Sequence, residues 1–170
     1  MAEIFTANDI SFKEMSEDEA VKTFQKDGYF DYVKRVVRYK ALPNESVWAR
    51  NPATMFVAFN KETPVGVIGF STYGKYLLGA GIHVRKEYRN RGLTPILINE
   101  MLKHKGGKKI LVSIANKNIV NSYRNAGFKD MEIGNLPTEI REGAVISREA
   151  GSELVEKFML HETGWFEILR

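Results

Sequence analysis

The sequence predicts a mixed α/β (α+β) fold, with an antiparallel meander leading into parallel strand-helix-strand units. Three observations carry that expectation. Residues 54–59 and 65–70 are rich in β-branched and aromatic residues, and they and the apolar run at 76–84 are joined by short polar or glycine-containing turns, the pattern of a meander. Between residues 80 and 133 the apolar periodicity alternates strand, helix, strand, helix, strand, which implies parallel pairing in the second half of the sheet. A chain of 170 residues, 44% hydrophobic and 11% aromatic, has material for one packed core, so residues 1–170 read as a single domain.

Each element follows from its own residues. Ile10, Phe12 and Met15 lie on a short, partly alternating run that ends at Ser16, and Ser16 with Glu19 forms a capping box. Ala20, Val21 and Phe24 come next at helical spacing until Asp27 and Gly28 stop the helix. A second helical pattern covers residues 29–40, with Phe30, Val33, Val36 and Val37 read as its apolar face and Lys34, Arg35, Arg38 and Lys40 elsewhere. Residues 41–52 contain Pro43, Asn44, Asn51 and Pro52 and read as a loop anchored by Trp48. The strands at 54–59 and 65–70 flank a turn at 60–64, and Gly66 and Gly69 within the second strand point to a bulge or a close backbone approach. Residues 71–75 then turn the chain into the strand at 76–84.

Further along, Ile96, Leu97, Glu100 and Met101 lie along a helix that runs to Lys103 or His104 and stops at Gly106-Gly107. Residues 110–114 read as a short buried strand, 116–125 as a helix and 128–133 as a strand. Beyond Gly134 the chain turns at Pro137. A short strand is expected at 144–146, a helix at 152–160 with Leu154, Val155 and Phe158 inward, and a last strand at 165–169.

The stretch on which the chain's chemistry centres is the junction at 80–104. Ile82 and Val84 end a strand, Arg89, Asn90, Arg91 and Gly92 form a basic loop, and Pro95 suits the first turn of the following helix because its missing N–H would be unpaired there anyway. Free amides, the positive end of the helix dipole and two arginines make a phosphate cradle, and Gly92 allows a pyrophosphate to come close to the backbone. A solvated basic turn has the same composition.

A second stretch narrows the choice. Arg89-Asn90-Arg91-Gly92-Leu93-Thr94 is followed by Asn116, Tyr123, Gly127 and Phe128. In order and spacing these resemble the acetyl-CoA loop and the second signature of the GCN5-related N-acetyltransferase (GNAT) superfamily, clearly over residues 53–133 and extending over 10–52. Thr94 stands where the family has a small residue, and the segment 134–170 departs from a minimal member as an enlarged connection.

The resemblance implies a sheet whose two central strands splay, here 76–84 and 110–114, with the pantetheine arm of acetyl-CoA in the gap. Ile82, His83 and Val84 would hold the arm by main-chain groups, with an amide near Val84 as the oxyanion donor. The loop Arg89, Asn90, Arg91, Gly92, Leu93 and Thr94 would bind the pyrophosphate, and Asn116 the arm. Tyr123 would protonate the leaving thiolate, unless it holds the cofactor by packing alone. Family members that use a glutamate base carry it on the strand before the loop, yet residues 76–84 contain no acid. His83 is the nearest titratable group, with an ordinary pKa near ~6.5, and a water relay is the alternative. Tyr29, Phe30 and Tyr32 are candidate acceptor-pocket residues by the same resemblance, or else core and surface aromatics of a helix.

The implied activity is transfer of the acetyl group of acetyl-CoA to a primary amine of a small molecule or protein; a non-catalytic CoA-binding or regulatory module of the same fold is the alternative. Without cysteines there is no disulfide, cysteine zinc site or thiol nucleophile. His83, His104 and His161 are too scattered for a metal site, so no metal is expected. The lysines at 103, 105, 108 and 109 read as favourable charges around a helix C-terminus rather than a nucleic-acid patch. A net charge of +4 and a pI of about 9.2 suit an anionic cofactor without demanding one. No run is long enough for a membrane span and residues 1–9 lack the pattern of a secretory signal, so a cytoplasmic location is expected. Exposed apolar residues in the C-terminal segment would suit a homodimer.

Overall fold

The computed structural model describes residues 4–40, 53–114, 119–131, 133–141 and 157–161. Its elements are β1 (Ser11–Ser16), α1 (Glu17–Lys26), α2 (Phe30–Lys40), β2 (Ala53–Asn60), β3 (Thr63–Tyr73), β4 (Tyr76–Val84), α3 (Leu93–Lys103), β5 (Lys109–Ile114), α4 (Val120–Asn125), β6 (Lys129–Asp130) and β7 (Lys157–His161). A short 3-10 turn at Ala7–Asp9 precedes β1, and others lie at Lys86–Tyr88 and Ile133–Asn135. The expected loop at 41–52 with Trp48, Asn116, the strand at 144–146 and the strand at 165–169 lie outside the described residues.

The strands form one sheet in the order β1-β2-β3-β4-β5-β7-β6. β1 to β4 are an antiparallel meander, and β4 pairs with β5 in parallel. Helices cover both faces, which is why β2 is buried along its length and still alternates. Met55, Val57 and Phe59 pack with Ala20, Phe24, Tyr29, Tyr32 and Val36 on the α1/α2 side. Phe56 and Ala58 pack with Leu93, Leu97, Ile98 and Met101 on the α3 side. The predicted capping box opens α1: the Ser16 hydroxyl accepts from the Glu19 amide at 3.3 Å, and the Glu19 carboxylate accepts from the Ser16 amide at 2.8 Å. The Ser16 amide, and the Ser16 hydroxyl that donates to the same carboxylate at 2.7 Å, hold the Glu19 carboxyl below its ordinary range.

Both central glycines of β3 are explained by close approach. A Cβ on Gly69 would sit 2.3 Å from the Met55 sulfur, and the pairing of β3 with β4 shifts between Gly69 and Phe70. A Cβ on Gly66 would sit 3.1 Å from the His83 carbonyl oxygen.

Several expectations are corrected. α2 buries Tyr32 and Val36, with Tyr29 buried just before it, while Phe30 and Val37 are 49% and 63% exposed. The helix therefore presents a face rotated from the predicted one, because Phe24 packs at a tilt against Tyr29 and Tyr32 at ring distances of 6.0 and 4.9 Å. The turn expected at 60–64 contracts to Lys61 and Glu62, and Pro64 belongs to β3. The strand expected at 128–133 contracts to Lys129–Asp130. The helix expected at 152–160 is contradicted where it is described: Lys157–His161 is a strand, antiparallel to both β5 and β6. It enters the sheet between them, so β5 and β6 run parallel without pairing. Two strand edges offering unpaired backbone groups outweigh a local helical spacing.

Candidate functional site

The candidate site begins where the ladder between β4 and β5 ends. The two strands pair at Tyr76↔Lys109, Leu77↔Ile110 and Leu78↔Leu111, and the parallel register goes no further among the described residues. Beyond it β4 bulges. Gly69 faces Gly81 and Phe70 faces Gly79, so Ala80 is the extra residue, and Gly81 takes φ 109°. At the far end the Arg85 amide donates to the Val65 carbonyl at 2.9 Å. Main-chain groups alternate sides along a strand, so those of His83 also turn toward β3, and those of Ile82 and Val84 turn to the β5 side.

Side chains alternate too. Ile82 and Val84 join the core shared with α3 and α4, and His83 stands on the opposite face, under α1 and α2. Its Nε2 lies 3.0 Å from the Tyr29 hydroxyl, and its ring is 5.6 and 5.8 Å from those of Tyr29 and Tyr32. The Tyr29 oxygen also accepts from the Lys86 amide at 3.2 Å. Burial, with Tyr29 only 7% exposed, raises its phenol above the ordinary 10.0, so it is a neutral hydroxyl at physiological pH. Arg85 ties the same turn to the sheet. Its guanidinium pairs with Asp27, lies 3.4 Å from Glu87, and covers the Tyr29 ring at 5.1 Å. Burial works against that charge, but the hydrogen bond and charge of Asp27 outweigh it and hold the arginine above its ordinary value.

The loop read as a phosphate cradle follows β4. Asn90 and Gly92 have left-handed backbones, φ 60° and 81°, and Gly92 is the N-cap of α3 with no side chain bonded to the helix end. Gly92, Leu93 and Thr94 therefore carry uncapped amides at the positive end of the helix, and Pro95, the third helical residue, has none to offer. Arg89 folds back so that its Nε donates to the Val84 carbonyl at 3.1 Å. Arg91 lies over the rings of Tyr88 and Phe5 at 5.4 and 5.9 Å.

On the other bank, Tyr123 of α4 is 3% exposed, and its ring meets Phe128 edge-on at 5.0 Å in the core shared with Ile82. The fold thus brings Ile82, Val84, the loop 89–94 and the start of α3 to one side of β4, and His83, Tyr29 and Tyr32 to the other. Phe30, also a candidate acceptor-pocket residue, is half-exposed.

Sequence reasoning missed Phe5, Tyr88 and the Asp27–Arg85 pair. Phe5 stands 86 positions before Arg91 with no local pattern to connect them; the Asp27-Gly28 helix stop was the one visible hint that the α1–α2 turn is a fixed point. The lysine cluster is partly paired, with Lys103 on Glu100 at 2.6 Å and Lys108 on the Gly74 carbonyl at 2.9 Å. Among the described residues no cluster of acidic and histidine side chains could hold a metal, and no helix is long and apolar enough to cross a membrane.

The model of the acetyltransferase (GNAT) family matches residues 11–128. No curated protein matches the chain significantly in sequence. Among solved structures, an acetyltransferase of the GNAT family from Staphylococcus aureus Mu50 is 18% identical, with 91% of this chain and 99% of that one covered and a TM-score of 0.55. The catalytic domain of a Tetrahymena GCN5 histone acetyltransferase, solved in complex with coenzyme A, is 17% identical over 76% of this chain and 81% of its own, with a TM-score of 0.51. Escherichia coli ElaA is 13% identical over 72% and 90%, with a TM-score of 0.52. At these identities the structures speak for the fold alone, and the family match, covering well over half of the sequence, shows that this chain belongs to the GNAT acetyltransferase family.

Proposed function

We propose that the chain is an acetyl-CoA-dependent N-acetyltransferase acting on a primary amine of a small molecule or protein. The amine attacks the thioester carbonyl directly, through a tetrahedral intermediate. The observation that carries this reading is the seam: β4 and β5 pair over Tyr76–Leu78 and then part beside the uncapped, arginine-flanked start of α3. An extended arm suits such a seam as an added strand, and a diphosphate suits the amides of Gly92, Leu93 and Thr94 with Arg89, Asn90 and Arg91 around them.

In this reading Ile82 and Val84 hold the arm through the main-chain groups turned to the β5 side. The Val84 amide is the donor toward the oxygen on which charge develops. Tyr123, and Asn116 by resemblance, serve the arm from the β5 side, with Tyr123 returning a proton to the leaving thiolate. His83 serves the acceptor side. The Tyr29 hydroxyl at 3.0 Å holds its ring, and a neutral imidazole there takes the proton that the amine sheds. Tyr29 and Tyr32 border that pocket.

Titration calorimetry with acetyl-CoA tests the cofactor. The expected result is micromolar binding to the wild type that weakens by about tenfold or more in the Arg89→Ala/Arg91→Ala double variant, from lost charge-assisted bonds. No binding by the folded wild type overturns the proposal.

The absence of any acid on β4 favours a second reading, a CoA-binding module without turnover. Tyr123→Phe separates the two: a large loss of thiol release with cofactor affinity kept supports catalysis, whereas wild type that binds acetyl-CoA and releases no thiol with any amine supports the module.

A further inference from the structure

The segment before β1 is built onto the candidate cofactor loop. The Phe5 amide donates to the Arg91 carbonyl at 2.9 Å, between the two left-handed residues Asn90 and Gly92. The Phe5 carbonyl is close enough that a Cβ on Gly92 would lie 3.4 Å from it. The Phe5 ring, 6% exposed, stacks on Tyr88 at 5.9 Å with 28° between planes, and the Arg91 guanidinium lies within 6 Å of both. A capping box between Thr6 and Asp9 fixes the turn that follows: the Asp9 carboxylate accepts from the Thr6 amide and hydroxyl, both at 2.7 Å.

Aromatic faces attract a guanidinium without neutralising it, so Arg91 keeps its charge and its in-plane N–H donors for an anion while losing rotational freedom. Arg89, two residues earlier, has a donor engaged on the Val84 carbonyl. The two arginines of the loop are therefore held differently. Arg91 is the one pre-oriented by hydrophobic packing, and that packing comes from a segment outside the loop. Pre-orientation of this kind lowers the ordering cost of binding.

We propose that Phe5 is a positioning residue of the cofactor site: with Tyr88 it holds the Arg91 guanidinium, and by its amide it holds the Asn90–Gly92 backbone, in the conformation that receives the phosphates of coenzyme A. This rests on the acetyl-CoA reading above. The test uses the full chain, titrated with coenzyme A and with pantetheine, which has the arm but no phosphates. Phe5→Leu keeps an apolar side chain and removes the ring face, and Phe5→Tyr keeps the face.

Phe5→Leu is expected to weaken coenzyme A by about 3- to 10-fold, from loss of the ring–guanidinium contact, and to leave pantetheine unchanged, while Phe5→Tyr stays at the wild-type value. In the Arg91→Ala background, adding Phe5→Leu is expected to cost little more. Unchanged coenzyme A affinity in Phe5→Leu, an equal loss for both ligands, or full additivity with Arg91→Ala overturns the proposal. Should Phe5→Leu fail to fold, Tyr88→Leu carries the same test, and equal affinities to the wild type would count against it. The underlying reading is judged separately by the wild type and Arg91→Ala: if the wild type binds coenzyme A and only Phe5→Leu is silent, the positioning role alone falls.

Discussion

Two halves of one strand behave differently. In the first half of β4, Tyr76, Leu77 and Leu78 are 9%, 2% and 0% exposed and pair with a strand on each edge. In the second half, Gly79 to Val84, the strand keeps β3 as its partner, bulges at Ala80, and runs beyond its register with β5. The first half is ordinary core; the second turns the main chain of Ile82 and Val84 to the β5 side, with a helix start and two arginines beside it. The sheet closes at one end of the strand and opens at the other, and side-chain bulk sets the point where they meet. At the hinge a Cβ on Gly79 would lie 2.7 Å from a methyl of Val112, so only glycine lets β4 and β5 touch before they part.

Matched truncations sharpen the contrast most. Leu78→Ala removes a fully buried side chain and is expected to cost about 2–5 kcal/mol. Val84→Ala, half-buried, is expected to cost below about 1.5 kcal/mol. Urea denaturation of the pair checks this, and similar losses would erase the distinction between the halves. The next effect is at the hinge. Gly79→Val forces the two strands apart at their last contact and is expected to cost about 1–3 kcal/mol, and a melting temperature equal to the wild type would mean the strands do not meet there.

The other face of the strand gives a smaller, pH-dependent effect. Folding raises the Tyr29 phenol pKa above 10.0, so the folded chain keeps a proton there that the unfolded chain loses. The sign follows: this contribution to stability is complete below pH 10.0 and is lost as the pH rises through the folded value. Tyr29→Phe has no proton to lose, so its stability gap to the wild type is expected to narrow on the alkaline side, read by chemical denaturation at a series of pH values. A constant gap would mean the hydroxyl is not buried. The same variant is expected to lower thiol release, with the affinity for acetyl-CoA held, by freeing the His83 ring.

Much of this was legible in the sequence where a local rule acts alone. Ser16 and Glu19 announced the start of α1, residues 76–84 announced β4, and Gly92 with Pro95 announced the start of α3, because capping, alternation and helix-start chemistry involve near neighbours. What escaped notice depends on partners distant in the chain. Residues 157–161 have a helical spacing upstream and become a strand because β5 and β6 present edges to fill. Phe30 looked like core until the packing of Phe24 on Tyr29 and Tyr32 turned the helix. The loop arginines were visible, but what holds them was not: Arg91 rests on Phe5, and the Asp27–Arg85 pair joins residues 58 positions apart.

The most direct test of the seam is amide hydrogen exchange across β4 with and without saturating acetyl-CoA. Exchange is expected to slow in the second half, Val84 above all, while Leu78, in register with a strand on each side, does not change. Bound acetyl-CoA that protects other amides and leaves residues 79–84 exchanging as before would contradict this expectation.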